Sequence, residues 1–118
     1  MTDIQRIDSN ERMSRVVVHN GTVYVAGVTS SDLSADVATQ TRDVLRKIDG
    51  YLAQGGTDKS RLLTTQIWLK DIGRDFAAMN VVWGEWADKE NMPTRATCEA
   101  KLATPEILVE IIVTAALP

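Results

Sequence analysis

The sequence predicts an α+β fold, a mixed β-sheet with two helices packed on one face, in the order β-β-β-α-β-α-β-β. Three observations predict it. Asn20-Gly21 sits between two β-branched runs; two later segments switch to helical spacing, each followed by a strand pattern; and residues 107–115 are apolar on both faces of an extended chain. Strand-helix-strand units alternating with hairpins suit a mixed sheet with its helices on one side.

The first third of the chain reads as extended structure. Ile4 and Ile7 flank polar residues in a first strand, and a second, Arg15 to His19, contains the β-branched run Val16-Val17-Val18. Asn20-Gly21 follows at once, and Thr22, Val23, Tyr24, Val25 and Ala26 resume the strand pattern. A type I′ turn needs positive φ at both central residues, which Asn-Gly tolerates, so this is a hairpin. Gly27 is expected to end the third strand, and Thr29-Ser30-Ser31-Asp32-Leu33-Ser34 to form a loop.

From residue 35 to 53 the period changes. Val37, Thr41, Val44, Leu45, Ile48 and Leu52 fall on one helical face, with Arg42, Asp43, Arg46, Lys47 and Asp49 elsewhere. Ser34 is the expected cap, Asp36 suits the first turn, and Gly55-Gly56 supplies the stop. Residues 62–69 alternate again, with Leu63, Thr65, Ile67 and Leu69 on one face and Leu62, Thr64, Gln66 and Trp68 on the other. Lys70-Asp71-Ile72-Gly73 breaks that strand. Residues 75–87 return to helical spacing through Phe76, Met79, Val82, Trp83 and Trp86, until Asn91-Met92-Pro93 turns the chain away from helix. The last strands are expected at 96–101 and 107–115, joined by a loop holding Thr104-Pro105.

Composition bounds what such a fold can do. A chain of 118 residues, 44% hydrophobic and 25% charged, has the size and balance of one globular domain, residues 1–118, and is not disordered, collagen-like or a disulfide scaffold. Its net charge of −3 argues against nucleic acid as a partner, because phosphate binding needs a cationic surface. One cysteine, Cys98, excludes an intrachain disulfide, and one histidine, His19, removes most zinc chemistry, so no metal is expected. The start Met1-Thr2-Asp3 carries no signal-peptide pattern, and no apolar stretch reaches the roughly 18 to 20 residues of a membrane span, so the expected location is the cytoplasm.

Two residues stand out as candidates. In the last strand Ile107, Val109, Ile111, Val113 and Ala115 share one face, and Leu108, Glu110, Ile112, Thr114 and Ala116 the other. A strand apolar on both faces, with helices on only one side, needs a second cover, and in so short a chain another subunit is the available one. Glu110 then either answers to a cation, hydrogen-bond donors or a wet cavity, or simply faces water. Arg95 follows Pro93-Thr94, so its guanidinium projects from a stiffened approach, suited to bidentate carboxylate recognition or to a plain surface ion pair. His19 reads as a strand-end surface residue, and Gly55-Gly56-Thr57-Asp58-Lys59-Ser60 lacks phosphate-loop spacing. Trp68, Trp83 and Trp86 have no basic residues interleaved and read as packing or interface residues.

At Pro93-Thr94-Arg95-Ala96, with Leu102, Pro105 and Val109-Glu110-Ile111, the chain resembles the Rid family, the RidA/YjgF reactive intermediate deaminases. The resemblance runs through Asn20-Gly21-Thr22-Val23-Tyr24-Val25-Ala26-Gly27, Asp36-Val37-Ala38-Thr39-Gln40-Thr41, Lys70-Asp71-Ile72 and Phe76-Ala77-Ala78-Met79-Asn80. The short loop after Gly27 and the opening Arg6-Ile7-Asp8 with Arg12 and Ser14 are most similar to the YoaB-like branch.

The resemblance implies a chorismate-mutase-like fold, a homotrimer with ligand clefts between subunits, and cofactor-free hydrolysis of 2-imino acids or enamines to 2-oxo acids and ammonia. It implies that Arg95 binds the substrate carboxylate and that Glu110 orients or activates the attacking water. Asn80 matches a cleft asparagine, and Gly27 a glycine whose backbone approaches the ligand. Thr97 stands where many members have cysteine, and Cys98 falls at an aliphatic position, as a small core residue. Met13 and Ala26 replace a pocket tyrosine and a serine, which makes the pocket more apolar. The alternatives are a non-catalytic trimer of the same fold that binds small carboxylates or acts as a chaperone, and an RNA-cleaving protein, against which the charge and the lone histidine argue.

Overall fold

The computed structural model describes residues 3–118. The strands are β1 (Gln5–Ser9), β2 (Ser14–His19), β3 (Thr22–Val28), β4 (Leu62–Leu69), β5 (Thr94–Glu99) and β6 (Val109–Ala116), and the helices are α1 (Val37–Gln54) and α2 (Ile72–Trp86). They form one six-stranded sheet in the order β1-β2-β3-β6-β4-β5. Every pairing is antiparallel except β4 with β5, which α2 connects as a parallel crossover. β6 pairs antiparallel with both β3 and β4, so the final strand slots between two strands that run the same way.

The hairpin forms as the sequence predicts, with Asn20 at φ 55° and Gly21 at φ 80°. The helix face predicted for α1 is the face that buries: Val44, Leu45, Ile48 and Leu52 pack with Met79, Val82 and Trp83 of α2 onto Val16, Val23, Val25, Ile67, Ile111 and Val113 of the sheet. Burial of each such aliphatic side chain contributes about 1.5–3 kcal/mol. Gln40 lies fully buried in this layer. Its amide donates to the carbonyl oxygens of Ala35 and Glu106 and accepts from the Leu108 N–H at 3.1 Å, which ties the chain entering β6 to the first turn of α1.

Several boundaries differ from the sequence expectation. α1 starts at Val37 with Asp36 as its cap, accepting from the Thr39 N–H, while Ser34 bonds to Asp32 in the preceding loop. α2 starts at Ile72, three residues early, because Asp71 caps it by accepting from the Arg74 N–H and Glu99 accepts from the Ile72 N–H. β3 runs on past Gly27 to Val28 through a register shift between Val25 and Val28. β5 begins directly after Pro93, and β6 begins two residues later than expected and reaches Ala116.

A further shift between Leu62 and Thr64 turns Leu62 into the core and leaves Leu63 exposed, the reverse of simple alternation. Cys98, expected in the core, is exposed. It pairs with Trp68 on the side of the sheet away from the helices, and β5 is an edge strand, so no layer of the chain lies over it.

The loop before α1 is fastened by Asp43, which accepts from the Ser31 N–H at 2.7 Å and the Ser30 hydroxyl at 3.0 Å and pairs with Arg46. The Ser31 N–H, with Arg46 and Ser30, holds its carboxyl down at about 2, against the desolvation that would raise it. A depressed acid stabilises the fold above its unfolded pKa, and that contribution fades as pH falls from about 4 toward 2. Asp43→Asn is therefore expected to lower Tm at pH 7 and to narrow the gap from wild type steadily between pH 4 and 2 in thermal unfolding. A gap constant with pH would refute the assignment.

Candidate functional site

Arg95 is the second residue of β5. In the parallel register it lies beside Thr65, and Thr97 beside Ile67, so both point to the helix side of the sheet. From α2, Phe76, Asn80 and Trp83 follow at spacings of four and three and share one helical face. The Arg95 guanidinium stands 5.9 Å from the Phe76 ring centroid and 5.8 Å from that of Trp83. These contacts offset part of its desolvation, about 0.5–2 kcal/mol for a cation over a ring.

Burial pushes the Arg95 pKa down from its ordinary value, and no carboxylate pairs with it among the described residues. Beside it the hydroxyls of Thr65 and Thr97 are buried without a hydrogen-bond partner. A charged fork with unused donors, held between aromatic rings, is built to receive a planar anion.

Glu110 is the second residue of β6 and pairs with Trp68, on the face opposite the helices. It is half-buried, and its pKa is raised by desolvation, against the field of Arg15, which lowers it. Gly27 sits in the β3 bulge directly against it: a Cβ at that position would lie within van der Waals overlap, 2.1 Å from Glu110 Oε2. The Gly27 carbonyl in turn accepts from Arg15 Nη2 at 3.1 Å.

The predicted residues therefore form two groups. Arg95 shares its side of the sheet with Thr97 and with the helix face that carries Asn80; Gly27 joins Glu110; and the strand register sets the two groups on opposite faces. Met13 lies exposed in the β1–β2 turn, its N–H bonded to Asn10 Oδ1, two residues before Arg15. Sequence reasoning missed Arg15, Phe76 and Thr65 as site residues and gave Trp83 a packing or interface role. The available signal was the seven-residue spacing of Phe76 and Trp83 around Asn80.

The cleft of about 240 Å³ between α1 and α2, lined by Leu45, Val82 and Trp86, includes neither Arg95 nor Glu110. Among the described residues no three His, Cys, Asp or Glu side chains are grouped to hold a metal ion, and no helix is long and apolar enough to cross a membrane.

The family model described as Endoribonuclease L-PSP matches residues 3–117. The chain belongs to this family, that of the Rid/YjgF proteins. A RutC family protein of Haemophilus ducreyi is 46% identical over 97% of each chain, and the RutC family protein YoaB of Escherichia coli is 43% identical over 96% of this chain and 97% of its own. Among solved structures, a YjgF family member from Neisseria meningitidis superposes with a TM-score of 0.93 at 40% identity, covering 98% of this chain and 96% of that one. A more distant relative, the 3-aminoacrylate deaminase RutC of Acinetobacter baylyi, is 34% identical over 75% of this chain and 74% of its own. The likeness read from the Arg95 and Glu110 motifs is thus a family relationship that spans the chain.

In this Rid/YjgF chain two glycines separate fold from site. Gly55→Ala drives a Cβ to 2.6 Å from Val23 Cγ1 and 3.3 Å from Val16 Cγ1, stiff core atoms, and is expected to cost about 1–3 kcal/mol in urea unfolding. Gly27→Ala meets the movable end of Glu110 and is expected to change stability by less than about 1 kcal/mol, with the Glu110 carboxylate displaced in the variant's crystal structure. Equal destabilisation by the two would contradict this division.

Proposed function

We propose that the chain is a hydrolytic deaminase of reactive 2-imino acids and their enamine tautomers, acting in clefts between the subunits of a homotrimer. The observation that carries this reading is the split of the site: Arg95 waits for a carboxylate on one face and Glu110 carries an unpaired carboxylate on the other. Within one chain they cannot meet on one small molecule. A second copy, laying the outer face of β6 near the β5–α2 side of the first, brings them together. The family relationship and the deaminase relative support the same chemistry.

In the proposed step Arg95 binds the substrate carboxylate in bidentate fashion and fixes the adjacent C2 imine carbon. The Glu110 carboxylate accepts a hydrogen bond from a water, whose oxygen adds to C2 and whose proton passes by way of Glu110 to the nitrogen. The tetrahedral carbinolamine then breaks its C–N bond. The hydroxyl proton passes to the departing nitrogen, which leaves as ammonia, and a 2-oxo acid is released, with no change of oxidation state. Asn80 and Thr97 border the carboxylate end, Gly27 borders the water end, and Met13 lies toward the outer rim. The reaction as written needs no cofactor.

The test is 2-oxo acid release from imines generated in situ by an amino-acid oxidase. Wild type is expected to accelerate release, and Arg95→Ala to lower kcat/KM roughly 100-fold, the worth of one lost charge-assisted pair, with the sedimentation mass still that of three chains. No acceleration with any of several amino acids would sink the deaminase reading; tight 2-oxo acid binding without turnover would replace it with a carboxylate-binding trimer.

A further inference from the structure

Arg15 has no place in the mechanism above, yet it is built into the Glu110 half of the site. β2 and β3 pair from His19↔Thr22 to Val16↔Val25, and just beyond that last pair β3 bulges at Ala26-Gly27. The Arg15 side chain lies at this parting of the strands. Its guanidinium stands 4.9 Å from the Tyr51 ring centroid on α1, Nη2 donates to the Gly27 carbonyl at 3.1 Å, and Nε is buried without a partner. A cation is thereby clamped between an aromatic ring and the peptide that touches Glu110.

Few of the groups around Glu110 ionise. β2 brings Arg15; β3 brings Gly27 and, further along, Tyr24; β4 brings Trp68, with Cys98 of β5 beyond it. On α1, Tyr51 backs Arg15, and Lys47 is committed to the Thr29 carbonyl. Among these, Arg15 is the group whose charge acts on Glu110, opposing the desolvation that favours its neutral form.

We propose that Arg15 is a positioning residue for Glu110: through its bond to the Gly27 carbonyl it fixes the bulge on which the carboxylate rests, and its cation, held beside that bulge, orients the carboxylate to accept a hydrogen bond from water. The catalytic consequence rests on the deaminase reading; the effect on Glu110 itself does not. Arg15 touches neither the proposed substrate carboxylate nor the reacting carbon, so its loss acts on the ionisation of Glu110 and leaves binding by Arg95 in place.

The experiment is a carboxyl titration of Glu110 by ¹³C NMR in glutamate-labelled wild-type protein, assigned with Glu110→Gln, and in Arg15→Ala, Arg15→Gln and Arg15→Lys. The midpoint is expected to rise by about half to one pH unit in Arg15→Ala and Arg15→Gln, and to stay nearer wild type in Arg15→Lys, which keeps the charge. The acid limb of the imine-hydrolysis pH profile is expected to move in parallel, with kcat falling and KM nearly unchanged. Removing a favourable cation raises the pKa, so activity is lost at the acid end and retained at the alkaline end.

An unmoved Glu110 midpoint in both neutral variants overturns the proposal, as does a Lys variant indistinguishable from Ala. If wild type hydrolyses no imine but the midpoints shift as stated, the deaminase reading fails and the Arg15–Glu110 coupling stands. Should Arg15→Ala fail to fold by circular dichroism, the Gln and Lys pair decides the matter.

Discussion

Each side chain of β6 is committed to one side of the sheet or the other, and β6 is the strand on which everything else is registered. Val109, Ile111, Val113 and Ala115 are buried against the helices, and they are buried because the strand lies between β3 and β4 rather than at an edge. The same alternation sends Glu110, Ile112, Thr114 and Ala116 to the other side, where no layer of the chain covers them and they stay half-buried. Slipping the strand by one residue would put Glu110 into the core at a cost of several kcal/mol, so the hydrophobic effect that fixes the core also fixes where the carboxylate points. Arg95 is bound by the same rule through Thr65 and Val113, which share its face.

The two charged groups are held by different means. Arg95 is desolvated but rests on two aromatic rings, which a guanidinium tolerates because its charge is spread and its faces are poorly hydrated. Glu110 has no such option. A carboxylate concentrates its charge on two oxygens and needs donors, and its neighbours across and along the strands are Trp68, Ile112 and a glycine. Desolvation accordingly raises its pKa above the ordinary glutamate value, with Arg15 opposing, whereas the guanidinium of Arg95 stays charged at any working pH although burial lowers its pKa. One group is therefore suited to binding and the other to proton traffic, a difference that follows from the chemistry of the side chains and the surfaces beside them.

Much of this was legible in the sequence because hydrophobic period and turn chemistry are local. The Asn20-Gly21 hairpin, the buried stripe of α1 and the two-faced last strand each follow from residues within one segment. The misreadings come from places where a local rule met a non-local one. Leu62 and Leu63 exchange faces because β6 imposes a register shift that no pattern in β4 announces. Asp71 caps α2 across a glycine that reads as a breaker, helped by Glu99 from β5. Cys98 is exposed because β5 is an edge strand, and edge or centre is a property of strand order, which the sequence does not state. Arg95 and Glu110 were visible as chemistry; that they lie on opposite faces required the register.

The separation of stability from site follows from the same layer structure. Gly55 and Gly27 both lack a Cβ because something stands where it would be, yet one neighbour is the core and the other is the candidate site. Gln40, fully buried, spends its amide on the chain just before β6, so the polar group inside the core also anchors the strand that carries Glu110. The helix side of the sheet thus supplies the rigidity, and the uncovered side is left free of packing duty within one chain. A residue on that open face can then be polar, half-desolvated and unpaired without unfolding the domain, because the burial that stabilises the fold lies on the other side of the same strand.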